Sequence, residues 1–187
     1  APIIRADAEA ASGLRVDLAV FGLIPSWSKD RSIGRRTYNA RAETVAEKPS
    51  YRTAWRQRQF CLVPVERFFE PCWETGKAVP WSIHRQDGEP FTVAGIWDRW
   101  NDRATGEIVV SFSMLTINAD GHPIMGRFHR PGDERRSLVV VPPSRWTDWL
   151  SATPDTVRAM LAEMPVAEFT SESVMGLSSA PAQASFL

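Results

Sequence analysis

The chain has 187 residues, 43% of them hydrophobic and 24% charged, with 22 basic residues balancing 22 acidic ones. Such values belong to an ordinary globular domain that buries about 70% of its unfolded surface, and they exclude a disordered tail or a collagen-like rod. The longest apolar run, residues 18–25, falls far short of the ~20 residues that span a bilayer, and no basic, apolar, small-residue sequence opens the chain as a secretory signal.

Taken in chain order, the pattern is rich in strands. Residues 14–23 begin by alternating apolar and polar side chains, become wholly apolar, and turn at Ile24-Pro25. Residues 50–59 read as a short helix, polar but for Tyr51, Ala54 and Trp55. Residues 60–69 read as a strand interrupted at Pro64, where an edge or a bulge is expected. Three β-type runs follow at 79–85, 91–100 and 109–117, with turns at Asp87-Gly88, 101–106 and Asp120-Gly121. Residues 137–141 form another buried strand, Pro143 opens a helix to Leu150, and residues 155–164 form a second helix capped by Thr153. The small, polar stretch 178–185 is expected to be loose. Neither a repeat nor a linker divides the chain. The expectation is a single α+β domain over 1–187, built on a mostly antiparallel, barrel-like sheet with inserted and flanking helices.

Charge is balanced overall and uneven locally. Of the 22 basic residues 19 are Arg, and residues 29–58 hold nine basic against three acidic side chains. This patch is either a phosphate-contacting face or a solvated surface written in Arg rather than Lys. The two cysteines, Cys61 and Cys72, cannot build a disulfide framework, which fits a reducing cytoplasm.

There is no P-loop, no dinucleotide-binding glycine turn and no C-x-x-C pair, and His84, His122 and His129 lack ligand-spaced partners, so no metal or cofactor is expected. What remains is a few polar residues set among apolar ones. Glu70 follows Phe68-Phe69 and precedes Pro71-Cys72-Trp73; aromatic surroundings desolvate a carboxylate and move its pKa toward the range of general acid–base work, unless the side chain points to water. His129 lies between Arg127 and Arg130, where neighbouring positive charge favours the neutral imidazole, as a proton shuttle requires; a surface histidine on a basic loop reads the same way. His122, beside Pro123 and Gly121, reads as a loop residue, and His84 as a structural one.

Six strings in register carry a resemblance. FGLIPSW at 21–27, NARAETV at 39–45, CLVPVERFFEP at 61–71, VPWSI at 79–83, FTVAGIWDRW at 91–100 and M-x-x-F-H at 125–129 together resemble the SOS-response-associated peptidase (SRAP) family over roughly residues 1–150. The resemblance implies an SRAP-like fold and a monomeric, cytoplasmic, nucleoid-associated protein. Such a protein binds single-stranded DNA and crosslinks abasic sites, with lyase and N-terminal self-processing peptidase activity. It also implies a nucleophilic cysteine at the mature N-terminus, whose α-amine forms a Schiff base with the ring-opened aldehyde and whose thiol closes a thiazolidine. Carried over by motif position, Asn39 holds the terminal amine or the sugar, Glu70 is the acid–base group of imine formation, and His129 moves protons in ring opening and crosslink reversal. Trp27 stacks on or wedges a base, and Arg41, Arg127 and Arg130 meet phosphates.

The chain departs from the family pattern in places. It begins Ala1-Pro2-Ile3-Ile4-Arg5, which resembles a segment somewhat inside the family's domain. Either the stretch bearing Met-Cys-Gly-Arg precedes it in the natural protein, or the reactive residue is lacking, leaving a non-covalent single-stranded DNA-binding module. Pro71 follows Glu70 where the family usually has Trp, and Arg-Pro-Gly-Asp-Glu-Arg-Arg extends the chain after His129. A conventional peptidase finds no Ser–His–Asp or internal Cys–His arrangement in the spacing.

Overall fold

The computed structural model describes residues 1–174, and the stretch 178–185 lies outside them. The chain folds as two compact units, each assembled from separate segments. The first comprises Ala1–Pro64, Phe91–Ile117 and Leu138–Glu163; the second comprises Val65–Pro90, Asn118–Ser137 and the residues from Met164 onward.

The larger sheet is built mainly from strands of the first unit. Strand β1 (Pro2–Ala6) pairs antiparallel with β2 (Leu14–Leu18), from Pro2 opposite Leu18 to Ala6 opposite Leu14. Asp7 closes the loop between them by donating its N–H to the Gly13 carbonyl at 2.9 Å. Next come β3 (Val20–Phe21), β4 (Asn39–Arg41), helix α1 (Arg52–Arg56) and β5 (Phe60–Val65). The long strands β8 (Phe91–Asn101) and β9 (Ile108–Asn118) form a hairpin, and β10 (Arg136–Leu138) pairs beyond β9. The strand order is β10-β9-β8-β5-β1-β2, with the short β3 and β4 running parallel to β9. Helices α2 (Trp146–Ser151) and α3 (Pro154–Arg158) complete the unit. The second unit carries a three-stranded antiparallel sheet in the order β11-β7-β6, formed by β6 (Arg67–Cys72), β7 (Val79–Arg85) and β11 (Phe169–Ser173). The α+β class, the mostly antiparallel barrel-like sheet and the inserted helices thus hold.

The first unit is held by an aromatic core. Phe60 meets Trp55 with ring centroids 5.3 Å apart and Trp149 at 5.5 Å, and all three are buried with Leu62, Ile96 and Leu115. Each such ring buries a large apolar area, so the three together contribute heavily to this core. The Trp149 indole N–H donates to the Cys61 carbonyl at 2.9 Å, so its burial strands no donor. Gly22 is held at φ 102°, and a Cβ there would stand 2.1 Å from the Gly34 carbonyl oxygen; only glycine fits.

Several boundaries differ from the sequence reading. The stretch 14–23 splits at Ala19 into β2 and β3, because its first half pairs with β1 and its second with β9. The stretch 60–69 breaks at Glu66 rather than at Pro64, where the chain leaves the larger sheet for the smaller. The helix expected over 50–59 shrinks to α1, and the one over 155–164 ends at Arg158. Thr153 does cap α3, in a reciprocal box with Thr156. Pro143 opens a 3-10 turn that leads into α2. No helix among the described residues is long and apolar enough to cross a membrane.

Candidate active site

In the second unit, Glu70 sits on β6 directly across from Trp81 on β7. Strand alternation turns Glu70 to the same face as Phe68 and Cys72, opposite to Phe69, which is exposed. Burial pushes its carboxyl up to about 7. His129 lies just past a short 3-10 turn (Met125–Arg127) and is one of two non-glycine residues with positive φ among those described, at φ 72°. Its backbone N–H donates to the Pro71 carbonyl at 3.2 Å, and Phe128 bridges to Cys72, so the histidine is tied to the strand that carries Glu70.

These ties bring His129 Nε2 to 4.0 Å from Glu70 Oε2. Burial pushes the imidazole pKa down, and its Nδ1 is buried with no hydrogen-bond partner. Desolvation is the leading cause of both shifts, so each group is driven toward its uncharged form. Near neutrality the site offers a carboxylic acid that can release a proton and an imidazole that can accept one. A separation of 4.0 Å exceeds a hydrogen bond, yet one oxygen atom placed between the groups lies within reach of both.

Arg127 and Arg130 flank this pair. The Arg127 guanidinium is clasped by Glu74, Nε to Oε1 at 2.9 Å and NH2 to Oε2 at 3.1 Å, and it stacks 4.6 Å from the Trp81 ring centre. Arg130 lies 5.9 Å from the ring centre of Trp73.

Asn39, Arg41 and Trp27 belong to the first unit. Asn39 and Arg41 line an open groove of about 420 Å³ together with Arg36, Thr44, Lys48 and Tyr51. The Tyr51 hydroxyl donates to the Asn39 carbonyl at 3.0 Å and fixes the strand from below. Trp27 is half exposed, and its indole N–H donates to the carbonyl of Pro49, itself a groove residue, at 3.2 Å. The loop that carries Trp27 is pinned by Asp98, a buried carboxylate that accepts the Ser26 N–H at 3.0 Å. Arg36 and Lys48 join the groove although only their place in the basic run marked them. Elsewhere in that run Arg31 is committed to Glu107 and Asp102, and Arg58 to the carbonyls of Ser151 and Ala152.

Of the other two histidines one is half-buried and one buried. His84 lies within β7, opposite Arg67 on β6. His122 lies in a loop, as expected, and is buried there: its Nδ1 accepts two backbone N–H groups, and its Nε2 lies 2.7 Å from the Met164 carbonyl. Among the described residues no group of three or more His, Cys, Asp or Glu side chains is placed to hold a metal ion.

The second unit thus presents a sheltered carboxyl to an imidazole, and the first unit carries a basic groove, each on a strand-rich α+β scaffold. Residues 1–177 match the SOS response associated peptidase (SRAP) family, and the chain belongs to it. It is 28% identical over 167 residues to the abasic site processing protein YoqW of Bacillus subtilis (strain 168), covering 86% of this chain and 70% of that protein. The abasic site processing protein YMR114C of Saccharomyces cerevisiae is 29% identical over 159 residues, 82% of this chain and 38% of that protein. A crystal structure of a Bordetella bronchiseptica protein superposes with a TM-score of 0.81 at 33% identity, covering 92% of this chain and 82% of the other.

Proposed function

We propose that this protein processes abasic sites in single-stranded DNA by forming a covalent protein–DNA crosslink, with Glu70 and His129 as its proton-transfer pair. The observation that supports this most is the carboxyl, pushed up to about 7, held 4.0 Å from an imidazole whose pKa is pushed down. An abasic sugar reacts through its ring-opened aldehyde. Opening requires a proton to leave the C1′ hydroxyl and another to reach the ring oxygen, and a neutral imidazole beside a carboxylic acid supplies both.

The family resemblance assigns the nucleophile to a cysteine at the mature N-terminus. Its amine lone pair forms the C–N bond while the aldehyde oxygen takes a proton from Glu70 and the nitrogen returns one to the carboxylate. That hydroxyl then leaves as water on the Glu70 proton, and the remaining amine proton passes to the carboxylate so formed, giving the imine. The thiol adds across C=N, its proton passing to nitrogen, and the thiazolidine closes. Asn39 orients the amine or the sugar, Arg41 and Arg130 meet phosphates, and Trp27 offers a face to a base, a contact of about 1–3 kcal/mol.

The test is incubation of the protein bearing its natural N-terminus with an abasic single-stranded oligonucleotide. A heat-stable, slower-migrating species is expected, formed more slowly by Glu70→Gln and His129→Ala. Equal affinity for intact and abasic strands with no adduct makes the protein a non-covalent binder instead.

A further inference from the structure

We propose that His122 is a positioning residue for the reaction, acting through its Nδ1 atom to shape the turn that delivers His129 to Glu70. The inference rests on the reading of Glu70 and His129 as the proton-transfer pair.

His129 is held in the left-handed region at φ 72°, a conformation that a non-glycine residue keeps only where its surroundings over-determine it. The surrounding turn supplies the determinants. The Nδ1 atom of His122 accepts the N–H groups of Ile124 at 3.2 Å and Met125 at 3.1 Å, so it starts the 3-10 turn as a capping side chain would. An imidazole nitrogen that accepts two N–H groups is unprotonated, so the ring proton sits on Nε2 and is donated to the Met164 carbonyl at 2.7 Å. The His122 carbonyl receives the Gly126 N–H at 2.7 Å, and the Gly126 carbonyl receives Nε of Arg135 at 2.7 Å.

The turn is then clamped at its far end. Arg127 is held by both oxygens of Glu74 and stacks on Trp81; Phe128 is buried. His129 follows at once, its N–H on the Pro71 carbonyl, one residue from Glu70. Rotation of the peptides at Ile124 and Met125 is therefore passed to His129 through three residues that cannot relax independently. On this account Arg127 belongs to the clamp rather than to phosphate binding.

The two ring nitrogens have separate tasks, and two near-isosteric substitutions separate them. His122→Asn places an amide oxygen where Nδ1 was, keeping the acceptor for the turn and losing the bond to Met164. His122→Gln places an amide nitrogen where Nε2 was, keeping the bond to Met164 and losing the acceptor.

The direct readout needs no DNA. The His129 imidazole is titrated by NMR in the full chain, with and without Glu70→Gln, in the wild type and in both variants. Glu70→Gln is expected to move the His129 midpoint in the wild type and in His122→Asn, and to leave it unmoved in His122→Gln. With abasic oligonucleotide, adduct formation is expected to slow about tenfold or more in His122→Gln and to stay within about twofold in His122→Asn. Coupling retained in His122→Gln, coupling lost in His122→Asn, or no coupling in the wild type overturns the inference. Should His122→Gln fail to fold, the His122→Asn arm decides alone. The expected NMR pattern without any adduct from the wild type overturns the proposed function and leaves the positioning role standing.

Discussion

Glu70 Oε2 and His129 Nε2 stand 4.0 Å apart, and burial drives both groups toward the uncharged state. An exposed pair of this kind at neutral pH carries a full negative charge on the carboxylate. Shelter by β6 and β7 instead makes the carboxyl half-protonated near pH 7, which is the condition for a group that must both give and take a proton.

The same shelter makes the fold's stability depend on pH. The carboxyl titrates at about 7 when folded and near ~4.3 when unfolded, so between those values the folded state holds a proton that the unfolded state has released. Stability is therefore full below about pH 4 and falls as pH rises through about 7. Glu70→Gln removes this dependence. Its stability relative to the wild type is expected to rise by about 2–3 kcal/mol between pH 5 and pH 8, read from urea unfolding at each pH.

On the proposed reading, groove charge sets the affinity for single strands. Arg36 and Lys48 line the groove with Arg41, and each phosphate contact contributes about 0.7 to the log–log salt slope on single-stranded DNA. The Arg36→Ala, Lys48→Ala double variant is expected to flatten that slope by about 1.4, measured by fluorescence anisotropy across salt concentrations, and to weaken binding alike for all sequences.

Gly22 cannot carry a side chain. Its φ of 102° and the 2.1 Å approach of a Cβ to the Gly34 carbonyl oxygen combine backbone strain with a clash against backbone. Gly22→Ala is expected to cost at least about 3 kcal/mol, seen as a lowered thermal midpoint, whereas Gly13→Ala meets no atom and pays only for its φ of 70°.

Asp98 fixes the loop of Trp27 through the Ser26 N–H. Asp98→Ala leaves that donor without its partner and is expected to destabilise the fold by about 1–3 kcal/mol. Asp98→Asn, which keeps a carbonyl acceptor, is expected to retain most of it, compared by urea unfolding.

The legible parts of the sequence were those set by local alternation or by capping. The strand read over 79–85 is β7, whose apolar Val79, Trp81 and Ile83 recur at every second position; Thr153 is legible as a cap because the following Pro154-Asp155-Thr156 favours a first turn. The end of α3 is not, since residues 159–164 are good helix formers and carry neither Gly nor Pro as a stop signal. β4 escaped notice because it is three residues long with Ala40 alone buried, and its partner strand β9 lies some seventy positions downstream. Glu70 stood out as a carboxylate among aromatic residues. The left-handed backbone of His129 and the burial of His122 had no local signal, because they depend on Pro71 and Met164 far along the chain.

The most direct measurement is the pH dependence of the first-order rate of adduct formation on an abasic single strand, in the protein with its natural N-terminus and in its Glu70→Gln variant. The wild type is expected to show an ionisation near pH 7 that is absent from the variant, whose rate falls by about 100-fold. Superimposable profiles for the two proteins would contradict the assignment of proton transfer to Glu70.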